Sequence, residues 1–183
     1  MQLGKVIKKF KSKKGNTVVF RYPEQDDLDD MLAYANALIA EDTFVELSGK
    51  PLTREEEKKV LNDVIQKMDK GEKVTVVVEV NGHYSGSAEL RIGQRRHAHI
   101  AEVGISLAQA VRGEGIGNEL LMVLIEQAKV LKLRLLVLSC NEKNTHACHV
   151  YEKLGFKKAG IIPGAISYKN EYIGEVKFYL PLV

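Results

Sequence analysis

The chain has 183 residues, 45% of them hydrophobic and 28% charged, with a net charge of +3. That size and balance suit one domain, residues 1–183, with a sizeable buried core, and exclude a disordered, collagen-like or disulfide-scaffold chain. The small positive excess does not by itself point to nucleic acid, and no run of about 18 apolar residues is present to cross a membrane.

The first nine residues lack a continuous apolar signal core, so the sequence predicts a cytoplasmic protein. Lys5, Lys8, Lys9, Lys11, Lys13 and Lys14 crowd the N-terminus between Val6, Ile7 and Phe10, and residues 13–16 read as a turn into a strand over 17–22. The pattern is a lysine-rich hairpin whose edge is guarded by charge, favoured over a nucleic-acid arm. Such lysines can also steer an acidic partner or phosphates. After Pro23, Leu28, Met31, Leu32, Ala35, Leu38 and Ile39 form a helical stripe over 26–40. Thr53 and Glu56 are spaced as a capping box for a second helix that reaches about Lys70, with Gly71 beyond it. Between these helices Glu41, Asp42 and Glu46, with the acidic start of the second helix, read either as a rim favouring a cationic amine or as a solvated face.

Residues 74–80 read as a buried strand, Asn81-Gly82 as a tight hairpin turn and 84–92 as the partner strand. A further strand is expected over 97–107, where His97, His99 and residue 101 share one face and 98, 100 and Glu102 the other. A helix over 118–131, a strand over 135–140 and a helix over 144–154 follow. Two closing strands, 156–161 and 172–180, are expected around a Pro163-Gly164 turn and a polar loop at 167–170. Cys140 and Cys148 form no Cys-x-x-Cys pair and read as buried small residues; His146 and His149 beside Cys148 complete no tetrahedral ligand set, so no metal is expected. The whole is an α/β (α+β) domain in which a mixed sheet carries helices on its faces.

The stretch Arg112-Gly113-Glu114-Gly115-Ile116-Gly117 joins an apolar strand to a helix. Three glycines in five residues let the backbone turn sharply and approach a ligand, and the first amides of the helix have no helical acceptor. With the helix dipole they suit a pyrophosphate, and Arg112 beside them can add a forked cation. No Lys with Ser or Thr follows Gly117, as a Walker loop requires, and the glycines are spaced two by two rather than as Gly-x-Gly-x-x-Gly. Further on, Asn144 can cap a helix on which Ala147, Val150, Tyr151 and Leu154 share one face, and Gly155 ends it.

Both segments, in this order, resemble the GNAT N-acetyltransferases: the first their Arg-x-x-Gly-x-Gly coenzyme signature, the second their block of Asn, Ala and Tyr-Glu-Lys-Leu-Gly-Phe. The resemblance extends over about residues 16–182 and implies a mixed, mostly antiparallel sheet flanked by helices, here with the lysine-rich hairpin added. It implies an acetyl-CoA-dependent transfer to an amine, with residues 112–117 (Arg112, Gly113, Glu114, Gly115, Ile116, Gly117) on the pyrophosphate. The backbone of Ile105 and Leu107 would lie on the pantetheine, an amide there, that of Leu107 first, polarising the thioester carbonyl. Gly104 would be a bulge opening the strand. Asn144 would touch the pantetheine arm, the alternative being a plain cap. Tyr151 would protonate the departing thiolate, the alternative being a core aromatic. Glu102 would be the base, the alternatives being solvent exposure, an ion pair with Arg91 or Arg96, or a base at His97 or His99 acting through water. The acceptor amine is not specified, nucleic acid is not expected as a partner, and a homodimer is possible within the family. The rival from another class is a non-catalytic acyl-CoA sensor.

Overall fold

A computed structural model describes residues 2–45 and 47–182; Glu46, one of the acids in the expected rim, lies outside them. Among the described residues eight strands hydrogen-bond in the order β1-β2-β3-β4-β5-β6-β8-β7, and four helices accompany them. The contacts divide the chain into two compact units, residues 1–91 with 104–121 and residues 92–103 with 122–183.

In the first unit β1 (Val6–Lys11) and β2 (Thr17–Arg21) form the expected hairpin. A short 3₁₀ turn leads into α1 (Leu28–Glu41), which stops at Asp42 in the left-handed region, φ 48°. The second helix, α2 (Arg54–Asp69), begins on the capping box read from the sequence: Thr53 accepts from the Glu56 amide while the Glu56 carboxylate accepts from the Thr53 amide. The expected stripes pack helix on helix, Leu28 and Met31 of α1 against Leu61 and Ile65 of α2. β3 (Lys73–Val80) and β4 (His83–Ile92) turn through Asn81 and Gly82, both at positive φ, as the short hairpin turn of right-twisted strands requires. Val74, Val76, Val77 and Val78 are fully buried, so β3 is a central strand with both faces covered. Arg21, itself buried, is held by Asp27 and Glu79, which pairs the charge it carries inside.

The strand β5 (Ile100–Leu107) passes through both units and α3 (Ile116–Val130) follows it. In the second unit β5 pairs in parallel with β6 (Leu135–Asn141) over Ile100, Ala101 and Glu102, the parallel geometry that needs a crossover such as α3. β6 then pairs antiparallel with β8 (Glu171–Pro181) over seven residues, and β8 with β7 (Lys157–Tyr168). Between them, α4 (Thr145–Lys153) packs Tyr151 against Phe156 and Phe178.

Two sequence expectations change. The strand expected from residue 97 starts at Ile100: Arg95–His97 form a 3₁₀ turn with Arg95 at φ 55°, and His97 and His99 are exposed outside the ladder. Alternation of His and Ala imitates a strand period, but a strand also needs a partner, and the described β5–β6 register begins at Ile100. The second change is in the closing hairpin. Pro163 and Gly164 do not turn the chain but sit inside β7, where the register slips between Ile162 and Ile166; the reversal falls at Lys169 and Asn170, both at positive φ. β7 is an outer strand of the sheet, the position where a proline lacking its N–H is tolerated.

Candidate active site

The Gly-rich loop belongs to the first unit. β5 delivers the chain through Ile105 and Leu107 into a 3₁₀ turn at Gln109–Val111, and Gly113 and Gly115 then take φ 76° and 84° before α3 begins at Ile116. An L-side chain at either glycine would be strained. Glu119 donates to the Gly115 carbonyl at 3.3 Å, so the amides of Ile116, Gly117 and Asn118 precede the first helical acceptor and point along the positive end of the helix. A Cβ at Gly113 would meet nothing within 4 Å, whereas one at Gly117 would touch the Leu107 side chain at 3.7 Å. The loop is open on the Gly113 side and packed on the Gly117 side.

Arg112 and Glu114 have partners that sequence spacing could not show. The Arg112 fork is bidentate on the Glu41 carboxylate at the end of α1, its second arm at 2.9 Å, and its Nε donates to the Leu107 carbonyl at 2.9 Å. Its charge is thus matched by Glu41, and the guanidinium ties the end of β5 to α1. The Glu114 side chain, only 2% exposed, turns toward the β1–β2 hairpin. Ser12 Oγ donates to Glu114 Oε2 at 2.6 Å, Asn16 Nδ2 donates to the same oxygen at 2.9 Å, and the Lys14 ammonium lies 3.5 Å from Oε1. These donors, Ser12 foremost, hold the Glu114 carboxyl below the usual carboxylate range.

Beside Arg112 a cavity of about 130 Å³ is lined by Tyr34, Ala37, Leu38, Glu41, Ala108 and Gln109. Tyr34 donates to Ser106 Oγ on β5 at 2.9 Å, and burial pushes its phenol up to about 12. Glu41, expected as part of an acidic rim, spends its charge on Arg112. Gly104, expected as a bulge, makes room for Glu89, whose Cγ would lie 3.2 Å from a Cβ there. The described irregularity nearby is on β4, where the register against β3 slips at Val78/Glu79.

The second unit holds the remaining candidates. Asn144 is the N-cap of α4: its Oδ1 accepts from the Ala147 amide at 3.2 Å, and its carbonyl accepts from Cys148. Tyr151 is 8% exposed, its ring centroid 5.8 Å from Phe178 and 6.1 Å from Phe156. Burial pushes its phenol well above the ordinary value, and the nearby Cys140 and Cys148 thiols add to the shift. Those thiols touch, Sγ to Sγ, at 3.5 Å. Glu102 is exposed at the last described β5–β6 pair, opposite Val137.

Against this geometry the relatives can be set. A family model described as an acetyltransferase (GNAT) domain matches residues 17–157. The Bacillus subtilis (strain 168) protein YwnH, a provisionally assigned phosphinothricin acetyltransferase, is 28% identical over 149 residues, 80% of this chain and 88% of that protein. The crystal structure of a GNAT-family acetyltransferase from Streptococcus pneumoniae superposes with a TM-score of 0.79 at 27% identity, over 90% of this chain and 99% of that one. RimL, a ribosomal L7/L12 α-N-protein acetyltransferase solved with coenzyme A, shares the fold with a TM-score of 0.83 at 16% identity, over 97% and 98% of the two chains. The family model spans well over half of the chain and its relatives are acetyltransferases, so this protein belongs to the GNAT acetyltransferases and is an acetyl-CoA-dependent enzyme.

Proposed function

We propose that this chain, acting as one catalytic domain over residues 1–183, transfers the acetyl group of acetyl-CoA directly to a primary amine while both are bound. The observation that carries the reading is the loop at residues 113–117: two glycines at positive φ ahead of α3, amides without helical acceptors, and an open face at Gly113. These amides hold the pyrophosphate, and the C-terminal end of β5, at Ile105 and Leu107, lies along the pantetheine. Acetyl-CoA supplies an activated thioester. The amine nitrogen bonds to its carbonyl carbon, the carbon–sulfur bond breaks, and two protons must move. Glu102 takes the one leaving the amine, Tyr151 gives one to the thiolate, and Tyr151 regains a proton as Glu102 releases one to solvent before the next turnover. The assignments of Glu102, Asn144 and Tyr151 rest on their match to the family's motifs. Arg112 serves the cradle as a brace between β5 and α1 rather than as a free cation.

The acceptor class is a primary amine. The names of YwnH and RimL concern phosphinothricin and the α-N of a ribosomal protein, which supports the amine and nothing narrower. The cavity beside Tyr34 is smaller than the ~300 Å³ at which whole-ligand pockets begin, so it takes the amine arm of an acceptor rather than all of it.

The test is thiol release from acetyl-CoA against amines, amino acids and peptides, with coenzyme affinity measured by calorimetry. Tyr151→Phe is expected to lower kcat about 10²-fold or more and leave the acetyl-CoA Kd unchanged. Equal losses in both would remove Tyr151 from the acid role. Tight coenzyme binding without thiol release for any amine would instead establish a sensor.

A further inference from the structure

We propose that Lys13, at the turn of the β1–β2 hairpin, is a ligand of the coenzyme pyrophosphate, an inference that rests on reading residues 113–117 as the phosphate cradle. The hairpin is built onto that loop. Lys13 N–H donates to the Glu114 carbonyl at 3.0 Å, and Ser12, Asn16 and Lys14 gather around the Glu114 carboxylate. The Lys13 stem then runs along Gly115: a Cβ built there would meet Lys13 Cε at 3.2 Å and its Cδ and Cγ at 3.5 Å. Gly115 therefore answers two demands, a left-handed φ and the absence of a side chain where the Lys13 stem passes.

Charge decides which cation serves the phosphates. Glu114 is matched by Lys14, Glu119 by Lys8 at 2.5 Å, and Glu41 by Arg112. These ions cancel in pairs, which leaves the helix terminus, equivalent to roughly half a positive charge, to face a pyrophosphate. Among the described residues Lys13 is the cation whose stem lies on the loop, and no carboxylate claims its ammonium. A compact ammonium on a flexible stem suits a phosphate that approaches the open face at Gly113, because it needs no fixed fork geometry. The same contacts explain why Glu114 can occupy a phosphate loop: its carboxylate is turned inward to the hairpin, so its charge does not meet the ligand.

Calorimetric titrations of wild type, Lys13→Ala, Lys13→Arg and Lys9→Ala with three probes test the assignment. The probes are acetyl-CoA, acetyl-3′-dephospho-CoA and acetyl-pantetheine, which carries no phosphate of the coenzyme. Lys13→Ala is expected to weaken both nucleotide probes equally, by about 5–20-fold, the range of one partly exposed charge-assisted contact. Acetyl-pantetheine should bind the variant as it binds wild type, Lys13→Arg should keep most of the affinity, and the exposed Lys9→Ala should stay within about twofold of wild type. Unchanged affinity of Lys13→Ala for acetyl-CoA would overturn the proposal. So would a loss seen with acetyl-CoA but not with the dephospho probe, which would move the contact to the 3′-phosphate. Failure of the cradle itself reads differently: wild type would then bind acetyl-CoA no better than acetyl-pantetheine, and both readings would end together.

Discussion

The partners of Arg112 lead to a prediction opposite to the one its sequence motif suggests. Replacing Arg112 by Ala removes the bidentate contact with Glu41 and the 2.9 Å bond to the Leu107 carbonyl. Hydrogen bonds to charged groups contribute about 1.5–3 kcal/mol when shielded, but the Arg112 side chain is 37% exposed and Glu41 22%, so the pair is discounted toward ~1 kcal/mol. With ~1 kcal/mol for the carbonyl bond, Arg112→Ala should cost about 2 kcal/mol, or ~4–8 °C in the Tm of a chain this size. Glu41→Gln should cost ~1 kcal/mol, and a double-mutant cycle should return a coupling of about the same size. Thermal unfolding of the coenzyme-free protein, paired with acetyl-CoA titration, separates the two roles. If Arg112 braces β5 against α1, Glu41→Gln lowers Tm and leaves coenzyme affinity equal or weaker. If Arg112 grips the pyrophosphate, Glu41→Gln frees its charge and tightens binding. An Arg112→Ala variant with wild-type Tm and more than about tenfold weaker affinity would refute the brace.

Two further predictions concern groups with mapped partners. Asn144→Ala should lower stability by about 1 kcal/mol through loss of the α4 cap, and Asn144→Asp should restore it; if the amide also touches pantetheine, Asn144→Asp will still bind acetyl-CoA more weakly, and recovery of both properties would reduce Asn144 to a cap. Glu114 sets a pH dependence. Because its folded carboxyl titrates below the ordinary ~4.3, its contact with the hairpin stabilises fully above that pH and is lost as pH falls through the lower folded value. Removing the leading donor in Ser12→Ala should therefore raise the pH midpoint of acid unfolding followed by circular dichroism; an unmoved midpoint would count against the contact.

What could be read from the sequence was local. The Thr53/Glu56 capping box, the Asn81-Gly82 turn and the Asn144 cap each lie within three residues of the group they satisfy, and all three form as expected. The loop at residues 113–117 was legible because glycine is the residue that reports positive φ. What could not be read was the pairing of charges across the chain. Arg112 and Glu41 are 71 residues apart, and Ser12 and Glu114 are 102 apart. A motif names the residue but not its partner, and here the partner of Arg112 is the Glu41 carboxylate. The strand errors have a similar origin: His97 and Pro163 follow or break a local period, while strand identity depends on a neighbouring strand that lies elsewhere in sequence.

The two readings of Tyr151, core aromatic and proton donor, are not exclusive. Its ring is fixed between Phe156 and Phe178. A buried phenol raised above its ordinary value keeps its proton at any physiological pH, so it can donate and not accept. The same burial makes it a weaker acid than a phenol in water, set against a thiol that ordinarily titrates near 8.5. Donation is then favourable only if the thiolate loses solvation too, since a desolvated anion gains proton affinity for the same reason the phenol does. The aromatic packing that resembles ordinary core is therefore compatible with the proposed chemistry, because it fixes the ring that would carry the donor.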